Sequence, residues 1–206
     1  MTPAPKDAAR LDIQELELGH LEAFARLFDA ASCACYCRYW HFEGTKNEWL
    51  DRCAHRPEEN VRELAEALRA RDVTARGLVA VDARGGGEIV GWMKLAPRER
   101  MAKLTKLPVY RHLPFEQGTW TIGCFVVHPD WRRRGVARAL AEAAEGSVRA
   151  WGGRFVEAHP RRSSEALHDE EAWQGPERMF EALGYEALHD MWPYPVYRKA
   201  LLSSGR

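Results

Sequence analysis

Residues 128–144, HPDWRRRGVARALAEAA, decide how the rest of the chain is read. From Val136 onward, Val136, Leu140, Ala144 and Val148 recur at helical spacing along one apolar face. Pro129 and Asp130 mark where this element begins. Arg132, Arg133 and Arg134 crowd its positive end, where each exposed cation is disfavoured by roughly 0.3–1 kcal/mol. Amides at a helix start lack internal partners and point outward together. A pyrophosphate placed there satisfies them and complements the dipole, and Gly135 lets a bulky ligand approach the backbone. Three cations that are unfavourable alone become favourable once a polyanion arrives, and such a break in local consistency marks functional sites. The competing reading is a plain solvated cationic face, partly neutralised by Asp130.

Working outward, TWTIGCFVVH before this stretch is rich in β-branched and aromatic residues and reads as a central strand. RFVEAHP after it reads as a second strand. Toward the N-terminus, LDIQELEL alternates like a half-buried strand, and Leu21, Phe24, Leu27 and Phe28 form one face of a helix. TKNEWLDRCAHRPEENVRELAEALRARD predicts one or two helices, with Pro57 as a break or first-turn residue. GLVAVDARGGGEIVGWMKLA carries the pattern of a β-hairpin, whereas PRERMAKLTKLPVYRHLPFEQG reads as a long loop of the kind that often carries function. GPERMFEALG predicts a helix closed by Gly184, followed by strands at YEALHDM and PVYRKAL. The order is a strand meander followed by β–α–β alternation.

Composition narrows the function classes. Apolar residues make up 46% and charged residues 29% of the 206, as in an ordinary globular domain. Thirty Lys and Arg balance thirty Asp and Glu, so no global field draws the chain to nucleic acid or to a membrane surface. No run approaches the ~18 apolar residues of a membrane span, and the opening MTPAPKDAAR lacks the apolar segment of a secretory leader. The reading is a cytoplasmic protein of one domain, residues 1–206. Five cysteines, an odd set, argue against a disulfide framework. No Walker-type Gly-Lys-Ser/Thr follows a glycine loop, and Gly85–Gly87 precede a strand, so they read as a turn.

Arg132-Arg133-Arg134-Gly135-Val136-Ala137 resembles the Arg/Gln-x-x-Gly-x-Gly/Ala acetyl-CoA signature of the GNAT acetyltransferases. CFVVHPDW before it resembles the family's strand-to-helix passage, and MFEALGYE its later Phe/Tyr-x-x-x-Gly-Phe/Tyr segment. Together with CACYCRYW, VGWMKLAPRER and WQGPERMFEALGYE, the chain resembles one subgroup of that family. The resemblance implies a single α/β (α+β) domain: a mixed, mostly antiparallel central sheet, splayed between two central strands, with helices on both faces. It implies acetyl-CoA as co-substrate, its pyrophosphate on the amides of Arg133, Arg134, Gly135, Val136 and Ala137, with Arg138 beside them. Arg132 and its neighbours would add charge-assisted hydrogen bonds. The main chain of Phe125, Val126 and Val127 would pair with the pantetheine arm as an added strand does.

Acetyl transfer to an amine needs a neutral nitrogen and a stabilised oxyanion. Relatives carry a Glu before the signature and a Tyr on the later helix, but Thr121 and Phe180 stand at the aligned positions here. The candidates left are Glu157 and His159, with Glu116 and His128 behind them. The alternative for Glu157 is an exposed carboxylate paired with Arg154 or Arg161, and for His159 a structural strand-end residue. Positioning alone supplies much of such an acceleration, with effective molarities of ~10⁵ M or more. Direct transfer in a ternary complex is preferred over a ping-pong route through Cys124, since a buried strand cysteine is usually a small hydrophobe.

For the acceptor, a small-molecule amine is preferred over a protein amine, lined by Tyr36, Trp40, Trp92 and Trp120, with Arg38 and Tyr39 nearby. Trp151 is expected on a helix face. Arg98, Arg100 and Lys103 steer an anionic acceptor or are merely solvated. Cys33, Cys35 and Cys37 lack the Cys-x₂₋₄-Cys pairs of structural zinc, so no metal is assigned. A homodimer is neither required nor excluded by the pattern. The alternatives are a non-catalytic acyl-CoA-binding module and a metal- or redox-responsive protein built on the cysteines.

Overall fold

Every strand that the alternation marks joins one sheet. The computed structural model describes residues 10–84, 86–165, 167–168 and 171–201, and for Arg111 only the backbone. The opening residues 1–9, read above for a leader, lie outside the described residues. The strands are β1 (Leu11–Glu15), β2 (Gly77–Asp82), β3 (Ile89–Pro97), β4 (Thr119–Val127), β5 (Phe155–Ala158), β6 (Glu186–His189) and β7 (Val196–Ala200). They lie in the order β1-β2-β3-β4-β5-β7-β6, antiparallel throughout except β4 against β5.

The helices are α1 (Leu21–Ala30), α2 (Lys46–His55), α3 (Pro57–Arg69), α4 (Ala102–Thr105), α5 (Val136–Ala150) and α6 (Glu177–Ala182). Pro57 takes the first turn of α3, where its missing N–H costs nothing. β2 and β3 are buried on both faces, so their sequences read as apolar runs instead of clean alternation. One core joins Leu78, Ala80, Val90 and Ile122 to Val136, Leu140, Ala144 and Val148 of α5 and Phe180 of α6. The other joins Val79, Ile89 and Trp92 to Phe24, Leu27 and Phe28 of α1 and Leu64 of α3. Helices therefore cover both faces, as the resemblance implied.

The centre of the sheet is where it opens. β4 pairs with β5 only at Thr119–Phe155, Trp120–Val156 and Thr121–Glu157, and then runs on alone to Val127. On its other side β4 stays bound to β3, but the register shifts between Met93–Phe125 and Leu95–Ile122. Two residues of β4, Gly123 and Cys124, therefore oppose the single Lys94, which is a β-bulge.

Two expectations are corrected. Residues 98–118 are not plain loop: they hold helical turns at Arg98–Arg100, α4 and Pro108–Arg111. Arg98 anchors them. It is 3% exposed and donates from Nη1 to Glu157 Oε1 at 3.1 Å, and from Nη2 to the Pro114 carbonyl at 3.2 Å. The cysteines also do not all stay free. Cys37 is joined to Cys124, 87 residues away, which ties the CACYCRYW loop to the bulge of β4.

Arg198 of β7 donates to the same Glu157 oxygen, from Nη2 at 2.7 Å and Nε at 3.1 Å. One carboxylate thus balances two guanidinium groups, and removing a partner from such a buried pair costs about 3–5 kcal/mol. Glu157→Gln is expected to lower the thermal midpoint by about 10 °C, read by calorimetry. A midpoint within a degree of wild type would show that the three groups do not depend on one another.

Candidate active site

Three pieces of backbone meet at the opening of the sheet. His128 N–H donates to the Val90 carbonyl at 3.0 Å, on the β3 side. Backbone direction alternates along a strand, so Phe125 and Val127 turn their main chain to the open edge. That edge runs through a helical turn, Pro129–Trp131, into residues 132–135 and then α5. Arg133 (φ 61°) and Gly135 (φ 84°) both sit in the left-handed region, which glycine adopts without a Cβ penalty. The first bond of α5 runs from Ala139 N–H to the Gly135 carbonyl at 2.9 Å, so the amides just before Ala139 have no partner inside the helix. Arg132, Arg133 and Arg134 all precede the helix rather than lying within it, which lightens their conflict with its dipole. Arg132 Nε reaches the Val127 carbonyl at 3.4 Å, Arg134 lies 5.7 Å from the Trp131 ring centre, and Arg138 pairs with Glu142 at 2.8 Å. Val136 is buried, while Ala137 is half-buried.

The open edge is not bare. Phe125 N–H donates to the Trp173 carbonyl at 2.6 Å. The turn behind it, at Gly175, packs close to Phe125 and Phe180. Of the three residues expected to receive a pantetheine arm, Phe125 is thus engaged by the chain itself, and Val126 lies opposite Trp92 of β3.

Beside this edge lies a cavity of about 190 Å³. Its walls are Tyr39 and Trp40, Leu104 and Tyr110 of the 98–118 segment, His159 just beyond β5, Trp173 and Gln174, and Met191, Tyr194 and Val196 at the C-terminal hairpin. Trp40 reaches it because residue 123 is glycine: a Cβ there would lie 2.7 Å from Trp40 Nε1. His159 meets Trp40 edge-on, with ring centres 5.4 Å apart. Neither nitrogen of His159 has a hydrogen-bond partner among the described residues, and neither have Tyr110 Oη and Gln174 Oε1. Burial pushes the His159 imidazole down to about 4, so the ring is neutral near pH 7.

The remaining candidates fall elsewhere. Glu157 shares a sheet face with His159, being two residues away on an extended strand, yet it does not line the cavity. It is fully buried, with Oε1 held by Arg98 and Arg198 and Oε2 without a partner among the described residues, so an exposed pair with Arg154 or Arg161 does not describe it. Trp92 is core, its Nε1 donating to Cys37 Sγ at 3.1 Å. Trp120 turns to the α5 face and packs on Trp151 at 4.8 Å. Tyr36 stacks on Phe28 at 4.9 Å and borders a different depression, alongside Cys33. Of the four aromatic residues expected to line the acceptor site, only Trp40 does. Arg38 is spent on Glu63 and the Thr74 carbonyl, Arg98 on Glu157, and Glu116 lies 4.0 Å from Arg198. His128 accepts from Asp130 N–H at 3.2 Å, away from the cavity.

Thr121 Oγ1, at the position aligned with the family's Glu, is buried without a partner among the described residues. Phe180, aligned with the family's Tyr, is core. Cys33 and Cys35 bring their sulfurs to 3.3 Å, and the hydrogen bond from Cys35 draws the Cys33 thiol down to about 7. Among the described residues, no group of three or more His, Cys, Asp or Glu is arranged to hold a metal ion. Nor is any helix long and apolar enough to cross a membrane. Tyr110, Trp173, Gln174 and Tyr194 were missed from the sequence, where the only signal was the length of the 98–118 segment and the isolated WQG.

A sheet opened between two parallel central strands, with a glycine turn and a helix start at one end of the gap, is the architecture of an acyl-transfer enzyme. The model of the acetyltransferase (GNAT) family matches residues 22–171, and the chain belongs to that family. Solved structures agree in fold. An aminoglycoside 6′-acetyltransferase type Ii is 18% identical with a TM-score of 0.56, over 94% of this chain and 99% of that one. The ribosomal-protein-S5-alanine acetyltransferase from Vibrio fischeri is 10% identical with a TM-score of 0.53, over 93% of each. A GNAT family N-acetyltransferase from Escherichia coli, solved in complex with CoA, is 17% identical with a TM-score of 0.51, over 96% of this chain and 85% of that one. No curated protein matches the sequence.

His159 makes stability depend on pH. Its folded value of about 4 lies below the ordinary 6.5, so the unfolded chain binds the extra proton. The stability is whole above pH 6.5 and drains away as pH falls to about 4, where the folded ring protonates too. The interval is worth roughly 3 kcal/mol. Urea midpoints measured across this range should fall less steeply for His159→Leu than for wild type. Parallel curves would mean that the imidazole is not held neutral.

Proposed function

We propose that this acetyltransferase moves an acetyl group from acetyl-CoA to the nitrogen of an amine by direct attack in a ternary complex. The observation that carries the reading is the β4 edge free of β5 beyond Thr121, which leads through the Pro129–Trp131 turn to the start of α5, where the first amides have no partner inside the helix. The co-substrate would supply an activated acyl carbon. Amides of Arg133 to Ala137 would hold its pyrophosphate, and Arg132, Arg134 and Arg138 would add charge. Val127 is the edge residue best placed for the pantetheine arm, and Phe125 becomes available once its amide leaves the Trp173 carbonyl. The CoA complex named for the Escherichia coli neighbour supports this assignment. Both the aminoglycoside and the ribosomal-protein neighbours are named for acceptors that carry amines.

On the acceptor side, His159 is the proton-handling group this chain offers. A neutral imidazole presents one acceptor nitrogen and one donor N–H. As the N–C bond forms and the electron pair of the C–S bond stays on sulfur, His159 takes the surplus proton of the nitrogen and releases it to the departing thiolate, which regenerates the neutral imidazole. The products are an amide and a thiol. Its low basicity makes it a modest base, so positioning in the cavity carries the larger share. Glu157 has no part in proton transfer; it holds Arg98 and Arg198, and through them the wall that bears Tyr110.

Calorimetric titration with acetyl-CoA tests the donor site. Wild type should bind in the micromolar range and Gly135→Glu at least tenfold more weakly. Gly135→Ala, which bears the same left-handed strain without the charge, should keep most of the affinity. No heat of binding with wild type would overturn the reading.

A further inference from the structure

The cavity beside the open edge has a chemistry of its own. Its volume, about 190 Å³, exceeds the 150 Å³ of an engineered cavity that binds benzene. One six-membered ring and a short side arm therefore fill it. The walls are mostly aromatic and aliphatic, with the rings of Trp40 and Trp173 5.8 Å apart at one side. Three of its lining residues carry polar atoms that are covered from solvent and have no partner among the described residues: Tyr110 Oη, Gln174 Oε1 and both nitrogens of His159. Gln174 and His159 are 6% and 4% exposed, so water does not readily stand in for a partner.

Charge sets the second condition. Among the described residues that line the cavity none is acidic, and Lys103 is among them, its ammonium bonded to the Gly44 carbonyl. The carboxylate nearest in the chain to His159, Glu157, is neutralised by Arg98 and Arg198. An ammonium entering this space would be desolvated with no counter-charge among the described residues that line it, and such a group sheds its proton instead.

We infer that the acceptor is a small, flat, monobasic amine, an arylalkylamine by chemical class, which the cavity takes as the free base and from which it excludes polycations. The inference rests on the acetyltransferase reading and deepens it. The proton of the ammonium is left in water before binding, so the strong base absent at Thr121 is not needed: R–NH₃⁺ gives R–NH₂ and H⁺ outside, and R–NH₂ with the acetyl thioester gives the amide and the thiol inside. A polyamine or an aminoglycoside brings further cations for which the described residues lining this cavity hold no acidic partner.

The test uses phenethylamine and putrescine as probes, titrated calorimetrically into the full chain with and without acetyl-CoA, followed by thiol release. Phenethylamine affinity is expected to rise about tenfold per pH unit below the amine's own pKa of about 10. Putrescine should bind at least a hundredfold more weakly, and the thiol-release kcat/KM should follow the same order. Putrescine bound as well as phenethylamine, an affinity flat with pH, or no binding of phenethylamine at high pH would each overturn the inference. Acetyl-CoA binding separates the two readings. If acetyl-CoA binds and phenethylamine does not, only the acceptor class falls. If acetyl-CoA does not bind, the acetyltransferase reading and the acceptor role fall together.

Discussion

The parallel contact between β4 and β5 stops after three residue pairs, and the rest of the molecule is arranged around that stop. A strand inside a sheet normally spends both edges on neighbours. Beyond Thr121, β4 spends only one, and its other edge faces a gap in the middle of the domain instead of at its rim. An exposed edge at the rim would invite pairing with another chain; here helices on both faces and the Trp173 turn shield it. The bulge at Gly123 and Cys124 sits beside the opening, where the strand bends and Trp40 can lie against a residue without a side chain.

Much of this architecture was legible because it is periodic. Val136, Leu140, Ala144 and Val148 are all buried on α5, as their spacing predicts, and Phe24, Leu27 and Phe28 likewise on α1. The site was less legible because it is assembled from segments without period. The partners of Glu157 stand 59 and 41 residues away, and no local pattern announces that a strand carboxylate is enclosed by them. Aromatic content misled for a related reason. Trp92, Trp120 and Trp40 look alike in sequence, but the first two turn into separate cores while the third lies over the bulge. The helical turns between Arg98 and Arg111 had no apolar repeat to betray them; a single buried arginine fixes the segment instead.

Some polar groups of the interior satisfy one another and others do not. Glu157 Oε1, Arg98 and Arg198 satisfy one another and act as a rivet between β5, β7 and the segment that walls the cavity. Lys94, held far below the usual ammonium range chiefly by burial, gives its hydrogens to the Thr74 and Arg76 carbonyls and is a rivet too. Both His159 nitrogens, Tyr110 Oη and Gln174 Oε1 have no partner among the described residues, as Thr121 Oγ1 and Glu157 Oε2 have none, and the first three residues line one hollow. Buried donors and acceptors left idle cost stability.

Trp173 belongs to two neighbourhoods at once. Its carbonyl caps the open edge of β4 through Phe125, and its indole walls the acceptor cavity against Trp40. A donor that takes the Phe125 amide must move the backbone of the residue that shapes the acceptor's berth. The two ligands are then thermodynamically linked, and whatever factor the first imposes on the affinity of the second is returned in equal measure. A single peptide unit thus joins the edge of β4 to the wall of the cavity, and a shift at one is felt at the other.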